Sequence, residues 1–289
     1  MDMIIEFGSN ACKVMQCDNY KVLLDYRIPL RLISHLDENG NLSEAAMQSM
    51  TGIVEDILGR FPKLDRIILV GTEALRRAQN IELVQEKIHA VTGLPLRILS
   101  WEEEARATFK GISSGISAPG RILAFDIGGA STEIIYANAQ EIQDIVSLPM
   151  GVVEINNKFR SSDPYTWCAF NGLELYITRY LRIRKGKDYT VIGTGGSIST
   201  MAAVATRMKS YDAEALNATV LDRKEIFRQI LLYRSLDSAK ISQIPGMDPA
   251  RADLMPVASL MVHTIMQKAN VTSITVSTRG VRHGVLCNR

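Results

Sequence analysis

Acids that end apolar strands and run directly into glycines are the residues of this chain best placed to do chemistry. The run Asp126-Ile-Gly-Gly-Ala-Ser-Thr-Glu133 predicts a strand, a tight turn and a second strand. Gly128 and Gly129 let backbone N–H groups approach phosphate oxygens with no Cβ in the way, Ala130 continues the turn, and Ser131 adds a hydroxyl donor. Asp126 and Glu133 fall on opposite strands, so both carboxylates can converge on one hard cation. Mg²⁺ suits that pair, since it is usually held by one or two carboxylates while keeping water and substrate phosphates. The start of the chain echoes this pattern, with IIEFGSNACKVM set against LAFDIGGASTEIIY. Aligning Glu6 with Asp126 puts Gly8 on Gly128 and Ser9 on Gly129, with Asn10 completing the first turn. Two acid-bearing phosphate turns would then face each other across a cleft.

Three further runs could serve the same chemistry. Gly193-Thr-Gly-Gly-Ser197 lies between the strand YTVI and the helix SISTMAAVATRM. Gly195, Gly196 and Ser197 would open that helix, whose free N–H groups and positive dipole end make a phosphate cradle. It is not a Walker A motif, which needs G-x-x-x-x-G-K-[ST]. Glu102, Glu103 and Glu104 begin a helix after Ser100. Ser100 and Glu103 form a capping box and the dipole accounts for another acid, which leaves Glu104 without a structural reason. Arg76 and Arg77 follow the strand RIILV, at the sheet edge where open α/β sheets bind ligands. One of them can clamp a phosphate bidentately, and a plain surface pair is an equal reading of that feature alone. Arg179–Lys187, RYLRIRKGK, is a cluster of cations that suits a helix C-terminus and, less directly, a track for an extended polyanion.

The elements that must position these residues follow from the hydrophobic pattern. Strands are predicted at Met3–Phe7, Lys13–Cys17, Arg66–Val70, Leu96–Leu99, Ile122–Asp126, Glu133–Tyr136, Tyr189–Ile192 and Ser273–Ser277. Helices are predicted at Ser43–Arg60, Asn80–Thr92, Glu102–Ile112, Leu173–Ile183, Ile198–Met208, Arg223–Ser235 and Pro249–Asn270. This alternation implies an α/β protein with mostly parallel sheets covered on both faces. The Ser113–Gly120 linker, SSGISAPG, places a boundary near residue 118 and predicts domains of 1–118 and 119–289. With 33 basic and 31 acidic residues the net charge is +2, so no global field selects nucleic acid or an acidic membrane, and an anion must be held locally. The four cysteines lack zinc or disulfide-scaffold spacing, and the N-terminus has no signal-peptide pattern. A cytoplasmic protein is expected.

The ordered set EFGSN (Glu6–Asn10), GTEALRRAQN (Gly71–Asn80), EEEAR (Glu102–Arg106), DIGGASTE (Asp126–Glu133), SLPMGVV (Ser147–Val153), GTGGS (Gly193–Ser197) and PARAD…TRGVRHGVL (Pro249–Leu286) resembles the exopolyphosphatase/guanosine pentaphosphate phosphohydrolase family, Ppx/GppA. The likeness spans almost the whole chain. It implies an actin-like ATPase fold, with two ribonuclease H-like domains flanking a cleft. It also implies Glu104 as catalytic base and Arg76 as a phosphate ligand. Asp126, Glu133 and Glu6 would serve Mg²⁺, with Mn²⁺ as a substitute. The turns Gly8–Asn10 and Gly128–Ser131 would hold phosphates. The chain departs from the family pattern at Glu6 and Ala11, at Ala130, and at Ser277-Thr-Arg-Gly280, where an acid is lost.

The function expected is therefore exopolyphosphatase activity, releasing terminal orthophosphate from inorganic polyphosphate. Hydrolysis of guanosine pentaphosphate is the enzymatic alternative, and a weakly catalytic sensor of polyphosphate or nucleotide is the non-enzymatic one. A sugar or acetate kinase on the same fold fits less well, because no acceptor pocket is evident. The expected partners are inorganic polyphosphate or guanosine pentaphosphate, with no nucleic acid and no membrane, and a homodimer is left open.

Overall fold

The computed structural model describes residues 1–18, 21–184 and 188–286. The first sheet comprises β1 (Asp2–Phe7), β2 (Ala11–Asp18), β3 (Lys21–Pro29), β4 (Arg66–Gly71) and β5 (Leu96–Ile98), in the order β3-β2-β1-β4-β5. Its first three strands form an antiparallel meander, and β4 and β5 add parallel beyond β1. The second sheet comprises β6 (Arg121–Ile127), β7 (Thr132–Asn138), β8 (Glu141–Leu148), β9 (Thr190–Thr194), β10 (Val220–Asp222) and β11 (Ser273–Ser277), in the order β10-β11-β9-β6-β7-β8. Setting aside the short edge strand β10, this sheet repeats the first in both order and strand direction. Two ribonuclease H-like units of an actin-like fold are thus present. Each sheet is mixed rather than mostly parallel, because the glycine turns fold the chain back on itself near the start of each half.

Helices α1 (Glu44–Arg60), α2 (Glu73–Arg77), α3 (Ile81–Thr92) and α4 (Trp101–Ser113) belong to the first half of the chain. The second half adds α5 (Val152–Phe159), α6 (Trp167–Tyr180), α7 (Gly196–Ala205), α8 (Ala213–Leu216), α9 (Arg223–Ser235), α10 (Ser238–Ile241), α11 (Met255–Ala269) and α12 (Val281–Leu286). Among the described residues no helix is long and apolar enough to cross a membrane. The sheets lie within residues 2–98 and 121–277, and the chain then crosses back. Val281 and Leu286 of α12 pack with Ile4, Met15 and Val70 of the first sheet.

Strand alternation decides what faces the cleft. Met3, Ile5 and Phe7 point to the side covered by Met50, Val54 and Ile57 of α1 and by Ile88 of α3. Ile4 belongs to the opposite face, and a period of two puts Glu6 on that face with it. In the second sheet Leu123, Phe125 and Ile127 pack against α7 and α11. Ala124 and Ile122 meet Ala105, Phe109 and Ile112 of α4, so Asp126 shares the face that α4 covers. The same count applied to β2 and β7 places Lys13 with Met15, and Glu133 with Ile135. Four charged side chains therefore arrive on the faces that meet the α4–α12 layer.

Candidate active site

The two hairpins are built alike. Gly8 N donates to Ala11 O at 3.1 Å, and Gly128 N donates to Ser131 O at 2.9 Å. Glu6 pairs with Lys13 across the first ladder, just as Asp126 pairs with Glu133 across the second. The turns meet tip to tip, since a Cβ on Gly129 would lie 3.1 Å from both Asn10 N and Ser9 Cβ. Each turn is also tied to its own half. Ala74 N, at the start of α2, donates to Ser9 Oγ at 3.2 Å. Val152 N and Val153 N, opening α5, donate to the carbonyls of Gly128 and Gly129 at 3.0 and 2.9 Å.

Between the turns lies a chamber of about 50 Å³ lined by Glu6, Gly8, Ser9, Asn10, Gly128, Gly129 and Ser131. Asp126, Glu133 and Glu104 reach the same chamber, as do Gly195 and Gly196. Glu104 is delivered by the start of α4. Ser100 Oγ accepts from Glu103 N, and the Glu103 carboxylate accepts from Ser100 N at 2.8 Å, so the capping box is complete without Glu104. Glu104 is only 8% exposed, and its Oε2 accepts from Arg76 Nη1 at 3.0 Å. Gly195 has φ +104°, and a Cβ there would lie 2.6 Å from Asp126 Oδ1. Only glycine lets the chain pass that close to the carboxylate in that conformation.

Several residues lie elsewhere than the sequence pattern suggested. Arg76 does not line the chamber; its guanidinium pairs with Glu73 and Glu104 and donates to Leu99 O at 2.7 Å. Ser197 is fully buried and lines no part of the chamber. Ala130 is likewise buried behind the turn, with its backbone N against Gly151. Glu6 is occupied, with Lys13 Nζ at 2.6 Å from its Oε1 and Arg282 Nε at 3.7 Å from its Oε2. In the basic cluster, α6 ends at Tyr180 and Arg184 pairs with Asp144 at 2.6 Å, while residues 185–187 lie outside the described residues.

Lys13, Glu73 and Arg251 are site residues that motif reading passed over. Lys13 was available from the register arithmetic that pairs Asp126 with Glu133. Arg251 lies within PARAD, and its guanidinium occupies the space that a Cβ on Gly196 would need.

The electrostatics are those of crowded buried acids. Burial, reinforced by the charge of Glu133, pushes the Glu104 carboxyl well above the ordinary range, and Arg76 opposes the rise. Burial and then Asp126 push Glu133 up to about 7, with hydroxyls from Ser131 and Ser147 resisting. Asp126 is also raised, by burial first. Oxygen donors so placed match a hard divalent cation, which would relieve their mutual repulsion. Among the described residues no three acids, histidines or cysteines close around one point. Asp126 and Glu133 are the carboxylates that such a cation would find in the chamber.

The family model for the Ppx/GppA phosphatase family matches residues 14–289. The chain belongs to the Ppx/GppA phosphatase family. It is 26% identical over 294 residues to a guanosine-5'-triphosphate,3'-diphosphate pyrophosphatase of Aliivibrio fischeri, covering 97% of this chain and 57% of that protein. Against a bifunctional 3-dehydroquinate synthase/phosphatase of Fusobacterium nucleatum the identity is also 26%, covering 94% of this chain and 44% of that one. The chain thus spans about half the length of these curated relatives. Its fold is shared with the Aquifex aeolicus PPX-GPPA enzyme, at TM-score 0.84 and 24% identity over 100% of this chain and 99% of that one. An exopolyphosphatase from Cytophaga hutchinsonii superposes at TM-score 0.85 with 22% identity, covering 99% of this chain and 96% of that chain.

Proposed function

We propose that this chain hydrolyses the terminal phosphoanhydride bond of a polyphosphate-bearing anion and releases orthophosphate. The observation that carries the reading is the buried Glu104 carboxylate, spare of any capping duty, facing two acid-bearing glycine turns that meet tip to tip. The terminal phosphoryl group would lie between Gly8–Asn10 and Gly128–Ser131, where backbone N–H groups and the Ser131 hydroxyl neutralise and orient it. Glu104 would accept a proton from a water held in line with the bond to be broken. The water oxygen bonds to the terminal phosphorus as the bridging oxygen departs with the shortened chain. Arg76 would hold Glu104 in place through the ion pair between them. Mg²⁺ bound by Asp126 and Glu133, or Mn²⁺ in its stead, would neutralise the phosphate oxygens and lower the repulsion that an anion meets on entry. Phosphoryl transfer asks mainly for positioning and charge neutralisation, and these residues supply both.

Inorganic polyphosphate and guanosine pentaphosphate both end in the group this site would take. The names of the relatives, guanosine-5'-triphosphate,3'-diphosphate pyrophosphatases among them, favour the nucleotide. A sensor without turnover is opposed by the presence of Glu104, Asp126 and Glu133 together at one chamber. Phosphate release from tripolyphosphate, long-chain polyphosphate and guanosine pentaphosphate, with and without Mg²⁺, tests the reading. Glu104→Gln should lower turnover by about 10²–10⁴-fold, the range for loss of a general base. Wild-type protein silent on all three substrates would sink the hydrolase, and a Glu104→Gln variant at full rate would remove Glu104 from it.

A further inference from the structure

The two hairpins share a register but not a charge. Glu6 stands opposite Lys13 on the first ladder, where Asp126 stands opposite Glu133 on the second. One hairpin thus brings two carboxylates to the chamber, and the other a carboxylate and an ammonium. The chamber continues into a larger one of about 500 Å³, and Glu6, Lys13, Asp126, Gly195, Gly196 and Arg251 line both. Lys13 therefore stands at the throat between them.

Glu6 has no oxygen to spare for a metal ion. It is only 3% exposed, its Oε1 accepts from Lys13 Nζ at 2.6 Å, and its Oε2 lies 3.7 Å from Arg282 Nε. Arg282 belongs to α12 and also pairs with Asp25 of β3. A divalent cation at Glu6 would have to displace these two resident cations or lie against their repulsion. The residues around Glu6 do not fit the Mg²⁺ role that the resemblance implied for it. Lys13 is differently placed. Among the described residues Glu6 is its one hydrogen-bond partner, and an ammonium carries three donors, so two remain for the throat. Its charge reaches the second hairpin as well. Burial raises the Asp126 carboxyl, and Lys13 opposes that rise more than Arg251 does.

We infer that Lys13 is a built-in cation of the site, supplying to the first hairpin the positive charge that a divalent ion would supply to the second, and that Glu6 is its counter-charge rather than a metal ligand. This rests on the hydrolase reading above and assigns two residues of that same site. With the terminal phosphoryl group between the turns, the next phosphate of the chain falls at the throat. There the two spare donors of Lys13 meet its oxygens in charge-assisted hydrogen bonds. That phosphate departs with the shortened chain. An ammonium beside it steadies the charge that the bridging oxygen gains as its bond to the terminal phosphorus breaks. Glu6 acts through Lys13, holding the ammonium at the throat before an anion arrives.

Two titrations test this without turnover. Mn²⁺ added to substrate-free protein and counted by electron paramagnetic resonance should bind as a single ion per chain. Glu6→Gln should keep that affinity within ~twofold, whereas Glu133→Gln should lose about tenfold or more. Tripolyphosphate titrated in chelator, followed by calorimetry, reads Lys13 apart from any metal. Lys13→Met keeps the stem without the charge and should weaken tripolyphosphate about tenfold or more, the scale of a lost charge-assisted bond. Glu6→Gln should tighten it about threefold, because the anion no longer meets that carboxylate. A merely structural defect would weaken it instead. Loss of Mn²⁺ in Glu6→Gln as large as in Glu133→Gln, or unchanged tripolyphosphate affinity in Lys13→Met, would overturn the inference. Should Glu6→Gln fail to fold, the wild-type chain and Lys13→Met still decide, since a second Mn²⁺ on the wild-type chain would overturn it too. Phosphate release by the wild-type protein keeps the two readings apart. An inactive protein with these affinities would refute the hydrolase alone, and an active one whose Lys13→Met variant binds tripolyphosphate normally would refute the role of Lys13 alone.

Discussion

Burial pushes up the carboxyls of Glu104 and Glu133 in the chamber between the turns, and that of Asp126 beside them, which ties the stability of the fold to pH. The Glu133 carboxyl, near 4.5 ordinarily, is pushed up to about 7 in the folded protein by burial and by Asp126. Between those values the folded chain holds a proton that the unfolded chain releases, so stability falls as pH rises. The contribution is complete below about 4.5 and is lost as pH passes through about 7, opposite in direction to a salt-bridged acid. In chelator the melting temperature should therefore drop from pH 5.5 to pH 8, and Glu133→Gln should flatten that drop. Added Mg²⁺ should raise the melting temperature more at pH 8 than at pH 5.5, because it competes with the proton for the same oxygens. Scanning calorimetry at the two pH values measures both effects. Equal stabilisation by Mg²⁺ at both, or none at either, would argue against a cation held by Asp126 and Glu133. Glu6 differs from these acids in kind, since Lys13 already supplies it a counter-charge at 2.6 Å.

At the level of elements, α4 is the part that makes the site, because it serves both halves. Its Ala105, Phe109 and Ile112 pack on the second sheet, while Ala107 joins α12 over the first. The α4–α12 crossing is close enough that a Cβ on Gly284 would lie 1.8 Å from Ala107 O. Gly284→Ala should thus cost about 1–3 kcal/mol, as overpacking does, and should shift α4 and Glu104 with it. Denaturant unfolding together with turnover checks this, and unchanged values of both would deny that the crossing positions α4. The same elements show what could be read beforehand. β1, β2, β6 and β7 were legible because glycine turns and alternation coincide, and α4 because Ser100 and Glu103 cap it. β3 and β8 escaped notice because they are edge strands whose outer positions carry charge, as in Lys21-Val-Leu-Leu-Asp25 and Glu141-Ile-Gln-Asp144. β10 has only three residues, too few for a period. α5, VVEINNKF, begins with β-branched residues of poor helix propensity, and its start is held by the carbonyls of Gly128 and Gly129. Such tertiary support leaves no local mark. Arg251 was hidden for the same reason, since its place in the site comes from burial and from the close approach of Gly196.

Seen as a whole molecule, the site exists only while the two halves stand in register. Glu104 and Arg76 come from before the linker, and Asp126 and Glu133 from after it. Among the described residues the ion pairs that bridge the halves include Arg27 with Asp248, Arg31 with Asp253, and Arg77 with Glu154. The Arg31 pair is bidentate, with both bonds at 2.9 Å, and Arg31 itself holds φ 46°. A non-glycine residue in that left-handed region bears some strain, which the paired fork offsets. Partly exposed pairs contribute little to folding, about 0–1 kcal/mol each, so their effect belongs to the closure of the cleft. Arg31→Asp would set two carboxylates against each other across it. The expected result is a ~tenfold fall in kcat/KM, from like-charge repulsion at the interface, with a melting temperature close to wild type. Small-angle scattering should show a larger radius of gyration. Pairing Arg31→Asp with Asp253→Arg restores opposite charges in reversed order, and should recover most of both quantities. A merely local defect at residue 31 would not be rescued by a change at residue 253, some 220 positions away in the chain. If the single variant keeps wild-type kcat/KM and radius, or the reversed pair recovers neither, closure is set elsewhere than at this latch.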